Sequence, residues 1–401
     1  MCRTILILVL YVLSPLTSIA TENNDLRLQL LKEQRLPQND IRLQYHTEVK
    51  QNLKKNPPTN ENITLFKYLD SEYYAQVRVG KPGQIFNVIF DTTWGDMWIP
   101  SKLCSSKVDP ICAHKTKYDP DESSTNIPIN SEPFNVSGLI GNLTCDTVRL
   151  AHLNVSDLVF AEIRQFPNIS DYRTMYADGI IGLGYNNLAQ IDSVPFFYKL
   201  LQDRKIEKPI FSLYLNRDIT TKKGGIIFLG GIEPKHIDGA MTYVPVTKKG
   251  YWQFQMTQFT IIKYNVKEKN KLYYSFCDTP CQAVVDSSTN KIGVPEEQWV
   301  AINDRIGATL YDQERYSVDC SKVNKLPILT LNIGGRNFTV KPRHYIQKVE
   351  NTKANMACLT TFVKTELPQN TWTLGGGFLS SVYTTFDLEQ NRIGFANLAS
   401  G

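Results

Sequence analysis

The chain has 401 residues, 42% of them hydrophobic and 11% aromatic, enough apolar material for two packed lobes and too much for a disordered chain. Its 44 Lys and Arg against 39 Asp and Glu leave a formal charge of +5, spread along the whole length rather than concentrated as in a nucleic-acid binder. With 23 Gly and 20 Pro, the composition is neither collagenous nor of low complexity.

Residues 1–20 carry Arg3, an apolar run from Ile5 to Leu13 and the small residues Ser18-Ile19-Ala20. This is the pattern of a secretory signal cut after Ala20, and the apolar run is too short to span a bilayer. No membrane span is expected further on. In residues 21–60, Leu26, Leu28, Leu30 and Leu31 interleave with Arg27, Lys32, Arg35 and Arg42, and Lys54-Lys55-Asn56-Pro57-Pro58 follows. The stretch reads as a basic helical leader ending in a Pro-rich linker. From Phe66 onward the pattern is short β-branched and aromatic runs, such as Tyr73 to Val79 and Ile85 to Phe90, separated by Gly, Pro and Asn. That alternation predicts an all-β architecture.

The secretory address gives the cysteines a meaning, because disulfides persist in oxidising compartments. Cys2 leaves with the signal. The others fall into two short-range pairs, Cys104 with Cys112 and Cys277 with Cys281, a longer pair, Cys320 with Cys358, and an odd Cys145. No Cys pair has a matching His cluster, so no metal site is expected. Six Asn-x-Ser/Thr acceptors, at Asn62, Asn135, Asn142, Asn154, Asn168 and Asn337, suit the same compartment.

An internal echo organises the rest. Val88-Ile89-Phe90-Asp91-Thr92-Thr93 leads to Trp98-Ile99-Pro100, and Ala283-Val284-Val285-Asp286-Ser287-Ser288 leads to Gly293-Val294-Pro295; each Pro follows its Asp by nine residues. A turn ending in Gly is expected after each: Ile180-Ile181-Gly182 comes 91 residues after the first Asp, and Thr373-Leu374-Gly375 comes 89 after the second. The period is far longer than a solenoid's. It predicts two related lobes, 61–245 and 246–401, each presenting one Asp from a strand end. If Asp91 and Asp286 meet between the lobes, the two carboxylates share a proton. One then takes a proton from a water while the other polarises a carbonyl, which is general acid-base hydrolysis without a covalent intermediate or a cofactor.

With these residues in view, the chain resembles the pepsin-type aspartic proteases over essentially its whole length after the signal. The resemblance rests on the two Asp echoes, Tyr118-Asp119-Pro120 with Ser123-Ser124-Thr125, Asp178-Gly179-Ile180-Ile181-Gly182-Leu183-Gly184, Pro209-Ile210-Phe211-Ser212, Tyr243-Val244-Pro245-Val246 and Asn391-Arg392-Ile393-Gly394-Phe395-Ala396. It implies a bilobal fold with an inter-lobe cleft for a peptide or unfolded protein, a monomer, and a secreted or lysosomal destination. It places the three proposed disulfides where the family has its own. It also makes Asp91 and Asp286 the catalytic acids, with Thr92 and Ser287 cross-bonding the loops beneath them and Thr289 as a further supporting hydroxyl.

The departures cluster at the same place. The family's triplet is Asp-Thr-Gly, but here Thr93 and Ser288 replace Gly, each adding a hydroxyl beside the position of the water. Trp94 stands where the family often has Ser. The flap, which should carry Tyr then Gly, aligns with Phe134 and Asn135. Near the C-terminus Leu-Gly-Asp reads Leu374-Gly375-Gly376. These changes favour a catalytically impaired peptide- or protein-binding protein; the alternative is an active acid endopeptidase.

Overall fold

The computed structural model describes residues 58–399, apart from 70, 169, 219, 266, 278, 351–355, 366 and 369. The predicted signal and all but the end of the leader, with Lys54 and Lys55, lie outside the described residues. The expected β architecture is present. In the strand Glu72–Val79, Tyr73, Ala75, Val77 and Val79 are buried while Gln76 and Arg78 face solvent, the period-two signature of a strand with one face in the core. The strand Gln84–Asp91 pairs with it antiparallel, Ala75 opposite Val88, and delivers Asp91 at its C-terminal end.

Each aspartate sits in the same local construction. Gln84–Asp91 pairs parallel with the strand Gly179–Gly182, Asp91 opposite Gly182, and Gly179–Gly182 pairs antiparallel with the outgoing strand Met97–Pro100. In the second copy, Cys281–Val285 pairs parallel with Thr371–Leu374, and Thr371–Leu374 pairs antiparallel with Ile292–Val294. The amides of Gly182 and Gly375 donate to the carbonyls of Asp96 and Lys291, each five residues past its aspartate, at 2.8 and 2.9 Å. Both glycines are required by close approach: a Cβ at Gly182 would stand 2.5 Å from the Trp94 carbonyl oxygen, and one at Gly375 would stand 2.5 Å from that of Thr289. The echo in the sequence is thus two copies of one strand, loop, strand and crossing strand.

Two large sheets carry these copies. One holds Asp91 and runs from Ile237–Pro245 through Arg392–Leu398, Val382–Asp387, Ile210–Leu215, Lys223–Leu229 and Glu61–Tyr68 to Glu72–Val79 and the strands around Asp91. The other holds Asp286. The two C-terminal strands, expected with the second lobe, therefore lie in the first sheet, beside Ile210–Leu215. Trp252, fully buried, packs its ring against Tyr185, Phe211 and Phe386 and donates its indole N–H to the Leu183 carbonyl at 2.9 Å, joining the two halves with an aromatic core. The disulfides Cys104–Cys112, Cys277–Cys281 and Cys320–Cys358 are all formed, and Cys145 is buried outside them. Among the described residues no helix is long and apolar enough to cross a membrane.

Candidate active site between the lobes

The two aspartate loops are latched to each other by four buried hydrogen bonds. Thr92 Oγ1 donates to the Val285 carbonyl at 2.7 Å and accepts from Ser287 N at 3.1 Å. Ser287 Oγ donates to the Phe90 carbonyl at 2.5 Å and accepts from Thr92 N at 3.1 Å. Thr92 and Ser287 are both buried, and each hydroxyl satisfies one donor and one acceptor on the opposite loop. This two-fold latch brings the ends of the two aspartate strands together from residues 195 apart in sequence.

Above the latch stand the carboxylates. Asp91 is buried, 5% exposed, while Asp286 is partly exposed. Burial, reinforced by the nearby Asp286 charge, pushes the Asp91 carboxyl up to about 7. Hydrogen bonds from Thr93 partly offset this: its N–H and its hydroxyl both donate to Asp91 Oδ1 at 2.7 Å. The second copy matches it, with Ser288 N and Ser288 Oγ donating to Asp286 Oδ1 at 2.9 and 2.7 Å. The Ser288 hydroxyl, whose proton goes to Asp286, also lies near enough to Asp91 to help hold its carboxyl down, so one side-chain oxygen stands beside both acids. The Thr289 hydroxyl accepts from Lys291 N at 3.1 Å, and the hydroxyl donor on Asp286 Oδ1 is Ser288.

An aspartate, a latching hydroxyl and a crossing glycine thus repeat, one of each per loop, about a common site. A sequence profile described as eukaryotic aspartyl protease matches residues 72–398. The chain belongs to the eukaryotic aspartyl protease family. Within the family it is 34% identical to cathepsin D of Rattus norvegicus over 366 residues, covering 88% of this chain and 87% of the relative. It is 34% identical to cathepsin D of Dictyostelium discoideum over 345 residues, 84% of this chain and 86% of the relative, and 33% identical to cathepsin E of Aquarana catesbeiana over 346 residues, 84% and 82%.

The residues expected at the flap lie in a hairpin formed by Phe134–Val136 and the start of the strand Leu139–Leu150, with Phe134 opposite Gly141 and Asn135 opposite Ile140. Ser137 and Gly138 turn it with φ of +51° and +79°, the two left-handed residues that a tight hairpin turn uses. Phe134 is buried in a cluster with Ile89, Trp98, Ile111 and Ile180, against which Trp94 also packs, so the flap lies beside the Asp91 loop. The indole nitrogens of Trp94 and Trp98 are both sealed from solvent without a hydrogen-bond partner among the described residues. Phe134 brings a ring to this cluster and no hydroxyl to receive either one.

A bundle of which the sequence singled out Asp178 but neither Glu72 nor Lys115 anchors the approach to the Asp91 site. Glu72 accepts from Tyr176 N and Ala177 N at 2.9 and 2.6 Å, Lys115 Nζ donates to the Met175 and Ala177 carbonyls at 2.5 Å, and Asp178 accepts from Asn87 N and Thr116 N at 2.8 Å. Burial raises the Glu72 carboxyl and lowers the Lys115 ammonium. The bundle fixes residues 175–178 just before the strand that crosses the Asp91 loop. Its partners are backbone groups from three distant segments, around 87, 116 and 175–177, so no sequence motif announces it.

Proposed function

We propose that the cleft binds an extended peptide or unfolded segment over Asp91 and Asp286, as a monomer without a cofactor or nucleic-acid partner, and hydrolyses it weakly and only at acid pH. The observation that carries this reading is the Ser288 hydroxyl, bonded to Asp286 Oδ1 and within reach of Asp91. A hydrolytic water needs to be held by both carboxylates at once, and a fixed hydroxyl there competes for the same acceptors. Displacing the water by about an ångström costs roughly a hundredfold in rate. Trp94 and Phe134 add ring surface and no hydroxyl beside the dyad, so a donor lost there costs further.

The alternative, a fully active acid endopeptidase, is favoured by the coupled aspartates and by relatives called cathepsin D and cathepsin E. A shared proton is what paired-carboxylate hydrolysis requires. Cleavage of denatured haemoglobin at acid pH separates the two. Thr93→Gly with Ser288→Gly raises the rate at least tenfold if the hydroxyls obstruct the water. Vigorous pepstatin-sensitive cleavage by the unaltered chain, unchanged by the two glycines, establishes the endopeptidase instead. The three disulfides, the sequons and the signal-like first twenty residues support a route through the secretory pathway to the lysosome or the exterior.

A further inference from the structure

Two of the six sequons, Asn135 and Asn142, stand on the flap hairpin, and the structure treats them differently. Asn142 is half-buried, and the hydroxyl of its sequon residue, Thr144, is itself buried and accepts from Asn126 Nδ2 at 2.5 Å. Asn135 is exposed, and its side chain makes no hydrogen bond or ion pair among the described residues. The alternation of the strand explains why. Phe134 and Val136 turn toward the buried cluster, so the residue between them points to the opposite, solvent face. Elsewhere in the molecule, the amide of Asn62 is engaged by Glu233 at 3.1 Å and that of Asn337 by Asn332 at 2.7 Å.

The hairpin that carries Asn135 is held down on the body of the lobe. Leu139 is fully buried, and the turn at Gly138 lies so close to Pro167 that a Cβ there would stand 2.7 Å from the proline Cβ. A substituent on Asn135 therefore does not fold into the lobe. It projects from the outer face of a hairpin next to the Asp91 loop.

We propose that Asn135 is an N-glycosylated residue and that its glycan, a large hydrated group, screens the cleft mouth so that slender peptides reach the aspartates and bulky or folded proteins do not. The screening part rests on the peptide-binding reading above; the modification does not. Ser137→Gly abolishes the sequon while keeping Asn135, and glycine accepts the φ of +51° at that position, so the hairpin turn survives. Ser137→Asn, which also removes the sequon and tolerates a left-handed φ, serves as the second variant.

Full-length protein and both variants are secreted from a eukaryotic host, mapped by glycopeptide mass spectrometry, and tested for binding of pepstatin, free and coupled to a large soluble carrier. The expected result is a glycan on Asn135 in the parent only. Free pepstatin binds all three alike, and the carrier-linked form binds the variants at least fivefold faster than the parent. A bare Asn135 in the parent overturns the modification. An unchanged ratio of carrier-linked to free association overturns the screening. Absence of any pepstatin binding in all three overturns the peptide-binding reading and the screening with it, while the mapping still decides the modification.

Discussion

Replacing Thr92 by Val keeps the shape of the side chain and removes only its hydroxyl. In the native structure that hydroxyl serves the Val285 carbonyl and the Ser287 amide, and Thr92 is 0% exposed. Losing it strands one buried acceptor and one buried donor, each worth about 1–3 kcal/mol. Partial relaxation of the loops recovers some of this, so Thr92→Val is expected to cost about 2–4 kcal/mol. Ser287→Ala removes the reciprocal pair of bonds, to the Phe90 carbonyl and the Thr92 amide, and is expected to cost a similar amount. The two hydroxyls hold the same pair of loops, so the double variant should lose less than the sum of the singles. Urea unfolding, read as a midpoint shift at constant slope, measures all three. A Thr92→Val protein within about 0.5 kcal/mol of the parent would refute the claim that the latch joins the aspartate loops.

The raised Asp91 carboxyl makes a prediction about pH. It titrates near 7 in the folded chain against about 4 when unfolded, so the folded state holds the proton more tightly. Its contribution to stability is complete below pH 4 and lost as pH rises through 7, a change of roughly 2–4 kcal/mol. Asp91→Asn should flatten the thermal midpoint between pH 4 and 7, and a variant that keeps the parent slope contradicts the assignment. The crossing glycines give a contrast of mechanism. Gly182→Ala and Gly375→Ala drive a methyl into backbone carbonyls and should each cost more than about 2 kcal/mol, whereas Gly239→Ala, with open space around it and only its φ of +79° to strain, should cost about 1 kcal/mol. Equal losses at all three positions, read by the same unfolding curves, would show that close approach is not what selects glycine at 182 and 375.

Much of this was legible in the sequence because the fold repeats. The echo around Asp91 and Asp286 exposed both copies, and the matched intervals to Gly182 and Gly375 marked the segments that cross them, which are strands up to Gly182 and Leu374 rather than the turns expected. The disulfide pairs were readable from their places along the chain. Pairings between segments far apart were not. Nothing in Val382–Asp387 announces that it lies against Ile210–Leu215, because a strand's apolar alternation records which face is buried and not its neighbour. The Glu72, Lys115 and Asp178 bundle was hidden for a related reason, since its charges answer backbone amides and carbonyls rather than one another's side chains. The added hydroxyls of Thr93 and Ser288 were visible as departures, but only the structure gives them acceptors, Asp91 Oδ1 and Asp286 Oδ1.

Peptide hydrolysis in this cleft requires that Asp91 and Asp286 share one electrostatic site. Carbon-13 NMR of labelled aspartate carboxyls follows Asp91 directly through a pH titration, in the parent and in Asp286→Asn. The parent should titrate near 7, and removal of the Asp286 charge should bring the midpoint clearly down while burial keeps it above the ordinary carboxylate range. An Asp91 midpoint that is the same in both proteins would mean that the two acids do not act on each other, and the shared-proton site would be wrong.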